Sequence, residues 1–245
     1  MTKKLDGKVA VITGGSAGIG FGAAKRFAAE GARVYITGRR QAELDKAVAE
    51  IGPGATAIRA DASKPADIDR VYDMVKRQAG HIDILFANAG FYEFGKFGEI
   101  TEEHFDNTFN TNVRGLLFLV QKALPLLRSG SSVILNGSIA SMKGMPSFSV
   151  YDATKAAVRS FARGWIVDLK GSGVRINVLS PGHTETPGLA TLLPDEQKQG
   201  IATTIPLERL GTADDLARAA VFLASDDSAY VNGIELFVDG GVAQY

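Results

Sequence analysis

A tyrosine and a lysine stand four positions apart in the segment Tyr151-Asp152-Ala153-Thr154-Lys155. On a helix this spacing places both side chains on one face, where a phenol and an ammonium can act together. A phenol with a pKa near about 10 is a poor acid or base at neutral pH, but a neighbouring cation favours the phenolate and lowers that pKa. The pair therefore predicts a general acid/base, with Lys155 lowering the pKa of Tyr151. Since such pairs also occur on solvated helix faces, the prediction depends on the rest of the chain.

A glycine-rich segment near the N-terminus is the second chemical feature. Thr13 to Gly20 lies between an apolar, β-branched run and a segment with helical apolar spacing. Glycines let the backbone approach a pyrophosphate closely, and a helix N-terminus offers free amides and a favourable dipole. The alternative is a plain tight turn, but this context favours a dinucleotide site. The residues predicted to bind it are Gly14, Ser16, Ala17, Gly18, Ile19 and Gly20.

The end of the second apolar run indicates which dinucleotide is bound. An acidic residue there would bond the ribose 2′-hydroxyl, whereas an arginine accommodates a 2′-phosphate. The segment reads Thr37-Gly38-Arg39-Arg40 and has no carboxylate. A guanidinium pairs with phosphate through a planar fork of donors, so NADP(H) is favoured over NAD(H), with Arg39 as first candidate and Arg40 as support. The alternative is that both arginines simply face solvent.

These residues must be positioned by alternating strands and helices. Strands are predicted at 8–13, 33–37, 55–60, 82–87, 132–136, 174–179 and 234–238, and helices at 17–30, 41–50, 65–79, 102–127, 149–169 and 213–224. The strands are continuous apolar runs, typical of a parallel sheet covered on both faces. We therefore predict an α/β fold with a doubly wound, seven-stranded parallel sheet, in one domain over residues 1–245. The stretch 181–206 contains four prolines and is predicted to be an irregular lid or substrate loop.

Composition excludes several classes of protein. The formal net charge is zero and no basic block is present, so a nucleic-acid partner is not expected. The chain has no cysteine, and its three scattered histidines form no ligand motif, so no metal site is expected. No apolar run reaches membrane-spanning length and the N-terminal residues do not resemble a secretion signal, so a cytoplasmic protein without a membrane partner is expected.

The motifs together resemble the short-chain dehydrogenase/reductase family in its compact form, and the resemblance runs nearly end to end. The residues that carry it are the turn Thr13 to Gly20, Asp61, Ala87-Asn88-Ala89-Gly90, Asn112, Ser138, the Tyr151/Lys155 pair, Pro181-Gly182 and Asp239-Gly240-Gly241. The resemblance implies a single-domain Rossmann fold and a nicotinamide-dependent oxidoreductase, assembled as a homotetramer.

The resemblance also implies a role for each catalytic candidate. Ser138 would bond the substrate carbonyl oxygen, and Tyr151 would give that oxygen its proton, because developing alkoxide charge needs donors already in place. Lys155 would tune Tyr151 and hold the nicotinamide ribose. Asn112 would anchor a water that connects Lys155 to bulk solvent.

Further cofactor contacts follow from the same resemblance. Asp61 and Ala62 would meet the adenine, Asn88, Ala89 and Gly90 would line the adenosine and ribose side, and Pro181, Gly182, Thr184 and Thr186 would cover the nicotinamide. Two departures from the family pattern affect only local hydrogen bonding. Ala87 replaces the usual first asparagine of its motif, and Asn136-Gly137 stands before Ser138 where serine is more common.

Other residues are open to two interpretations. Phe91, Tyr92, Phe94, Met145 and Phe148 are candidates for an aromatic pocket wall, which favours a hydrophobic carbonyl substrate. The helical stripe Val158, Phe161, Trp165 and Leu169 is interpreted as a subunit interface. His183 either contacts substrate or is structural.

The sequence therefore predicts an NADP(H)-dependent ketone reductase or alcohol dehydrogenase acting on a small molecule. The alternatives are an NAD(H)-preferring dehydrogenase of a sugar, steroid or other secondary alcohol, and a nucleotide-binding sensor without catalysis. A sensor without catalysis would not need the complete set of Asn112, Ser138, Tyr151 and Lys155, so the enzyme is favoured. Epimerases and dehydratases that use the same pair are longer proteins, so they rank low.

Overall fold

A computed structural model describes residues 3–244 and shows one twisted parallel sheet. The strands run in the order β3-β2-β1-β4-β5-β6-β7, and all of their pairings are parallel. Their bounds are β1 Val9–Thr13, β2 Arg33–Gly38, β3 Ala55–Arg59, β4 Ile82–Ala87, β5 Leu127–Asn136, β6 Arg175–Pro181 and β7 Glu235–Val238. The strand order reverses between β1 and β4, so the doubly wound, seven-stranded Rossmann fold is confirmed. Residues 1, 2 and 245 of the expected domain lie outside the described residues.

Helices cover both faces of the sheet. Their bounds are α1 Gly18–Ala29, α2 Gln41–Ile51, α3 Pro65–Ala79, α4 Glu102–Phe109, α5 Leu116–Ala123, α6 Ser149–Asp168, α7 Pro187–Leu192, α8 Asp195–Thr203 and α9 Ala213–Ala224. One buried apolar cluster lies beneath α3, α5 and α6, and the other beneath α1, α2 and α9. Strands such as β1 and β4 are buried along their whole length because both faces are covered, which explains their continuous apolar sequence. Within residues 3–244, no helix has the length and apolar character needed to cross a membrane.

The prediction of an irregular stretch at 181–206 was wrong, because two helices form within it. Thr186 caps α7 by accepting a hydrogen bond from the Leu189 N–H, and Pro187 occupies the first turn. Pro194 directly precedes α8, whose first turn carries two acidic residues. Proline is favoured at a helix start because its missing N–H would have no partner there. Two of the prolines interpreted as loop residues therefore mark helix N-termini.

The predicted helix 102–127 is interrupted. A π-helical turn at Asn110–Gly115 separates α4 from α5, and a short 3-10 turn at Leu124–Leu126 leads directly into β5. Gly115 packs so closely against the Ala62 carbonyl that a Cβ atom would lie 2.5 Å from its oxygen. Strand β5 also begins five residues before the predicted 132, since Leu127 pairs with Ile82 before a register irregularity. Neither the widened turn nor that first pair has a signal in the apolar pattern.

The helical stripe interpreted as a subunit interface packs partly against the core. Val158 has no exposed surface, and Phe161, Trp165 and Leu169 pack against the cluster beneath α6. The Phe161 and Trp165 rings are stacked with centroids 4.8 Å apart. Packing against the sheet accounts for part of the helical spacing, and a subunit interface at the surface left uncovered stays a prediction.

Asp83 connects the start of two strands and provides a test of stability. Its side chain is 4% exposed, its Oδ2 accepts the Val9 N–H at 2.8 Å, and its Oδ1 accepts the Arg128 Nη2–H at 2.7 Å. Burial alone would raise the pKa of Asp83, but the hydrogen bonds from Val9 and Arg128 outweigh it and hold the pKa below its ordinary value.

We expect Asp83→Asn to lower the free energy of unfolding by about 2 kcal/mol near neutral pH, because the carboxylate loses charge-assisted bonds in a buried place. A depressed pKa stabilises the fold above the unfolded value near about 4, so the difference from wild type should shrink as pH falls below it. Urea unfolding at several pH values measures this. Asp69→Asn breaks an ion pair between exposed side chains and should cost less than about 0.5 kcal/mol. Equal losses of unfolding free energy in both variants would contradict a stabilising role of the Asp83 carboxylate.

Candidate active site

The candidate residues converge at the carboxyl ends of β1, β4, β5 and β6, where a doubly wound sheet binds its ligands. Thr13 ends β1, Ala87 ends β4, Asn136 ends β5 and Pro181 ends β6. Because the strands are parallel and adjacent in the order β1-β4-β5-β6, the segments that follow them lie side by side at one edge of the sheet. This edge is where the fold has its ligand-binding crevice, called the cleft below.

The glycine turn forms a surface that a side chain would obstruct. Gly14 has a φ of 65°, a left-handed conformation that favours glycine, and a Cβ there would lie 3.0 Å from Asn88 Nδ2. A Cβ on Gly20 would collide with the Gly14 carbonyl oxygen. Ser16, Ala17 and Ile19 lie between these glycines and are half-buried at the start of α1. The Ala17 N-cap offers no side-chain acceptor, so the first amides of α1 are available to an anion.

Asn88 fastens the end of β4 to this turn. Its Nδ2 donates to the carbonyl oxygens of Thr13 at 2.9 Å and Gly14 at 3.3 Å. The backbone amides of Asn88 and Ala89 both donate to Thr13 Oγ1. The sequence therefore missed Thr13 as the residue that joins the two loops; its position at a strand end, after a buried run, was the only signal. Gly90 follows and is exposed to the cleft.

The end of β2 lies beside the same turn. A Cβ built on Gly38 would be 3.0 Å from Ser16 Oγ, so the Ser16 hydroxyl and Arg39 belong to one corner of the site. Arg39 and Arg40 are exposed, and within residues 3–244 neither guanidinium has a hydrogen bond or ion pair. Arg59 Nε donates to the Arg39 carbonyl at 3.1 Å and so holds the main chain there. Two cations are therefore available to a phosphate.

Asp61 and Ala62 follow β3 on the far side of that corner. Asp61 Oδ1 accepts the Ser63 N–H and O–H, and the Asp61 N–H donates to Asp67 Oδ2 at 2.8 Å. The carboxylate is thereby oriented by its own turn. Ala62 is held against Gly115, which brings this turn to the wall formed by the π-helical segment.

Ser138 and Tyr151 are brought together as predicted. Ser138 is buried, and its Oγ accepts the Ala140 N–H at 3.1 Å. The expectation that the pKa of Tyr151 is lowered was wrong for this structure. Burial raises the pKa of the Tyr151 phenol well above its ordinary value, and the hydrogen bond with Ser138 only partly opposes it. The phenol is therefore protonated over the physiological range, which is the form that donates a proton.

The Lys155 ammonium is bound by the end of β5. Its Nζ donates to the Asn136 carbonyl at 2.8 Å and lies 5.4 Å from the centroid of the Tyr151 ring. The side chain is almost wholly buried, and burial lowers the pKa of Lys155 to about 8. The ammonium is thus fixed by the end of β5 at the floor of the cleft, where it is available to a second acceptor.

Asn112 lies in the π-helical turn, a deviation that is frequent at functional sites. Its Oδ1 accepts the Phe91 N–H at 2.8 Å, and its Nδ2 donates to the Phe91 carbonyl at 2.7 Å and to Thr154 Oγ1 at 3.1 Å. Asn112 therefore joins the loop after β4 to α6. A water anchored by Asn112 stays a prediction.

Asn136 carries a buried Oδ1 that has no hydrogen-bond partner among the described residues. Such an atom is costly to leave unpaired, and it lies where Asn136 also approaches Asn88 and Lys155. A bound hydroxyl group would satisfy it. This is an observation of the chain that fits a polar ligand at the end of β5.

The segment after β6 lies over the glycine turn. Gly182 follows Pro181 and has no room for a side chain, since a Cβ would lie 2.7 Å from Asp239 Cα. Thr184 is buried and donates to the Gly182 carbonyl at 3.1 Å. A Cβ on Gly18 would be 3.3 Å from Thr186 Cγ2, so Thr186 lies directly above the turn. His183 is half-buried, burial lowers its pKa, and its carbonyl accepts the Gly211 N–H.

Aromatic side chains form the wall beside Tyr151. The Phe148 ring lies 5.0 Å from the Tyr151 ring and 4.5 Å from the Phe94 ring, and the Tyr92 ring meets Tyr151 edge-on at 6.1 Å. Phe94 is 51% exposed, so the wall retains uncovered apolar surface. The Gly95 N–H donates to the Ser147 carbonyl and links the two loops that carry these rings. Met145 is not part of this ring cluster; its N–H bonds Asp152.

These features fit a nicotinamide dinucleotide. The glycine turn leaves room for a pyrophosphate, and the corner at Arg39 leaves room for the adenosine ribose. Lys155 and the unpaired Asn136 Oδ1 offer polar groups to the nicotinamide ribose. No group of histidine, aspartate or glutamate residues within 3–244 is arranged to hold a metal ion.

Comparison with known proteins gives the same class. Residues 14–243 match the family model described as enoyl-(acyl carrier protein) reductase. The chain is 46% identical over 244 residues to oxidoreductase asL5 of Sarocladium schorii, covering 99% of this chain and 98% of that protein. It is 36% identical over 256 residues to the hydroxynaphthalene reductase-like protein Arp2 of Metarhizium acridum, covering 98% and 96% of the two chains.

A solved structure is similar throughout. The 3-ketoacyl-(acyl-carrier-protein) reductase from Brucella melitensis complexed with NADH superposes with a TM-score of 0.91 at 35% identity, covering 98% of this chain and 99% of that one. Fold and site together define a nicotinamide-dependent oxidoreductase. The chain belongs to the short-chain dehydrogenase/reductase family.

Proposed function

We propose that this protein is an NADP(H)-dependent reductase of a hydrophobic ketone, or in reverse a dehydrogenase of the secondary alcohol. The observation that carries the proposal is the protonated Tyr151 phenol beside Ser138, at the open end of a cleft whose floor holds the Lys155 ammonium. When bound, the nicotinamide supplies the hydride for the carbonyl carbon.

The residues of the chain divide the remaining work. Ser138 donates a hydrogen bond to the carbonyl oxygen, and Tyr151 delivers a proton to the same oxygen as negative charge develops there. Lys155 holds ribose hydroxyls, and Asn112 fixes the loop after β4 against α6. Gly14 to Gly20, Asn88 to Gly90, Asp61, Ala62 and the segment Pro181 to Thr186 hold the rest of the cofactor.

The preference for NADP(H) rests on Arg39 and Arg40. Both residues are exposed and directly follow Gly38, which packs against Ser16, and no carboxylate ends β2 to accept a ribose 2′-hydroxyl. An NAD(H)-preferring enzyme is the second candidate, because the Brucella melitensis reductase is described as an NADH complex. Charge favours NADP(H), because a 2′-phosphate would gain from two exposed cations and a hydroxyl would not.

Arg39→Ala is expected to lower kcat/KM for NADPH by about tenfold to a hundredfold, because a charge-assisted hydrogen bond to phosphate is lost, and to leave kcat/KM for NADH nearly unchanged. Initial rates with each cofactor measure the ratio. Arg77→Ala removes an exposed arginine of α3, away from the cleft, and serves as the control. A clear preference of the wild type for NADH would reject the Arg39 argument.

The substrate class follows from the aromatic wall. Tyr92, Phe94 and Phe148 present apolar ring surface beside the Tyr151 hydroxyl. Aromatic faces favour offset or edge-on packing against planar ligands, so aryl ketones are expected to be preferred. The reductase-like relative Arp2, described as hydroxynaphthalene reductase-like, agrees with this class.

A panel of carbonyl compounds tests the proposed function. NADPH oxidation should be observed with aryl ketones and be weaker with β-ketoesters, acyl thioesters, sugars and steroids. Oxidation restricted to sugars would contradict the aromatic preference. No oxidation with any compound, despite cofactor binding, would support the non-catalytic sensor instead.

A homotetramer in the cytoplasm completes the proposal, and a monomeric mass in light scattering would contradict the assembly.

A further inference from the structure

A buried carboxylate with no place in the proposed chemistry lies directly behind the Ser138 turn. Glu235 begins β7, and its side chain is 7% exposed. Its Oε1 accepts the Ser141 O–H and the Ser180 O–H, both at 2.6 Å. Its Oε2 lies 3.4 Å from Arg159 Nε. A buried carboxylate is retained only where such partners offset its loss of hydration.

The partners of Glu235 belong to the segments that carry the site. Ser141 ends the 3-10 turn that begins directly after Ser138. Ser180 is the residue before Pro181, at the end of β6. Arg159 lies on α6 one turn beyond Lys155, and its Nη1 donates to the Gly233 carbonyl at 2.7 Å. One carboxylate therefore joins the Ser138 turn, the end of β6 and the helix of Tyr151 and Lys155.

Gly137 explains how this arrangement fits in the fold. A Cβ atom at residue 137 would collide with Ser180 Oγ, so only glycine leaves the Ser180 hydroxyl its place against Glu235. The Gly137 N–H also donates to the Leu179 carbonyl at 2.8 Å, which keeps the two strand ends together. The departure from serine before Ser138, noted in the sequence, thus has a structural consequence.

The Ser138 turn is held by buried side chains and by its own backbone hydrogen bonds, since Ile139 and Ala140 are buried. Its amides bond within the turn: Ala140 to Ser138 Oγ, Ser141 to the Ser138 carbonyl, and Met142 and Lys143 to the Ile139 carbonyl. Met142 is 66% exposed. The hydrogen bond from Ser141 to Glu235 is a polar tether that joins this turn to the sheet.

We propose that Glu235 is a positioning residue that fixes the Ser138 hydroxyl toward Tyr151 through Ser141, with Ser180 and Arg159 holding the carboxylate in place. Its effect on turnover rests on the proposed function. Its effect on the turn does not, since the tether is formed by the chain alone.

Hydrogen exchange of the cofactor-free protein tests the tether. Ser141→Ala and Glu235→Ala remove the same hydrogen bond from opposite ends, and each should raise amide exchange in residues 138–143 about tenfold. Glu235→Gln keeps an oxygen that accepts both hydroxyls and should resemble the wild type. Ser132→Ala is the matched control, because it removes a buried serine hydroxyl that bonds the Leu223 carbonyl elsewhere in the sheet. Unchanged exchange in whichever of the two alanine variants folds would overturn the proposal.

Turnover then tests the consequence. Ser141→Ala should lower kcat about tenfold while the Kd for NADPH stays within about twofold, because a displaced donor weakens transition-state stabilisation and not cofactor binding. In a Ser138→Ala background the same change should have no further effect. If Ser141→Ala lowers kcat by the same factor in the Ser138→Ala background as in the wild type, Glu235 does not act through Ser138. A wild type with no turnover on any carbonyl would reject the proposed function, and the exchange result would still decide the tether.

Discussion

Replacing Tyr151 by phenylalanine is expected to lower kcat by about a thousandfold or more, because the proposed function makes the phenol oxygen the proton donor to the carbonyl oxygen. The substitution retains the ring, which packs 5.0 Å from Phe148 and 6.1 Å from Tyr92, so the aromatic wall stays intact. Cofactor affinity should change little, since Lys155 keeps its hydrogen bond to the Asn136 carbonyl. Single-turnover rates with saturating NADPH, and NADPH binding by fluorescence, separate the two effects.

Tyr72→Phe is the matched control for this experiment. Tyr72 is also buried, and its hydroxyl donates to the Leu119 carbonyl at 2.7 Å in the core beneath α3. Loss of that hydroxyl should lower the melting temperature and leave kcat unchanged. If Tyr151→Phe keeps more than about a tenth of wild-type turnover, a phenolic proton donor is not required.

Replacing Lys155 by methionine is expected to lower kcat/KM by about a hundredfold, because it removes a buried cation that we propose to bind the cofactor and to stabilise developing charge. Methionine has a similar length and no charge, so the packing is largely kept. Wild-type affinity for NADPH should also fall as pH rises through about 8, since burial lowers the pKa of Lys155 to that value and the neutral amine loses its charge. Titrations of Kd against pH measure this inflection.

The Lys155→Met variant should lack the inflection altogether. Lys76→Met, at an exposed position of α3, should retain both the wild-type kcat/KM and the inflection. An inflection near pH 8 that persists in Lys155→Met would assign it to another group. Unchanged kcat/KM in that variant would show that Lys155 is structural.

The raised pKa of Tyr151 alters the interpretation of the pair. The sequence places a cation four residues from the phenol, but distance along a helix does not define where an ammonium points. The Lys155 ammonium donates its hydrogen bond to the Asn136 carbonyl at the end of β5, and burial is the largest influence on the pKa of the Tyr151 phenol. A neutral phenol can donate a proton, which agrees with the proposed reduction, whereas the reverse reaction would first require loss of that proton.

Much of the fold was predictable because parallel strands leave a strong pattern. Strands such as β1 and β4 are buried on both faces, and their apolar runs end in glycine or asparagine at the cleft. The same pattern placed Ser138, Tyr151 and Lys155 on adjacent segments. The prediction failed where long-range packing decides local structure, as at the π-helical turn around Asn112, which closes against Phe91 and Ala62.

Two other failures have a physical cause in residue type. Pro187 and Pro194 were interpreted as loop residues but stand at helix starts. Proline is common in loops and at the first turn of helices, so its presence alone does not distinguish the two. The role of Thr13 in joining two loops, and the place of Glu235 behind the site, were not predicted, since these contacts are hydrogen bonds to residues distant in the sequence. Apolar periodicity carries no information on such polar links.

Transfer of label from cofactor to product tests the central claim most directly. Two samples of NADPH are prepared, each with deuterium at C4 of the nicotinamide on one of the two ring faces. The protein is incubated with an aryl ketone and each sample separately, and the alcohol is analysed by mass spectrometry. We predict one deuterium on the carbinol carbon from one of the two labelled cofactors, and none when Tyr151→Phe replaces the wild type. Alcohol formed without deuterium from either cofactor, or no alcohol from any ketone while NADPH binds, would contradict the account.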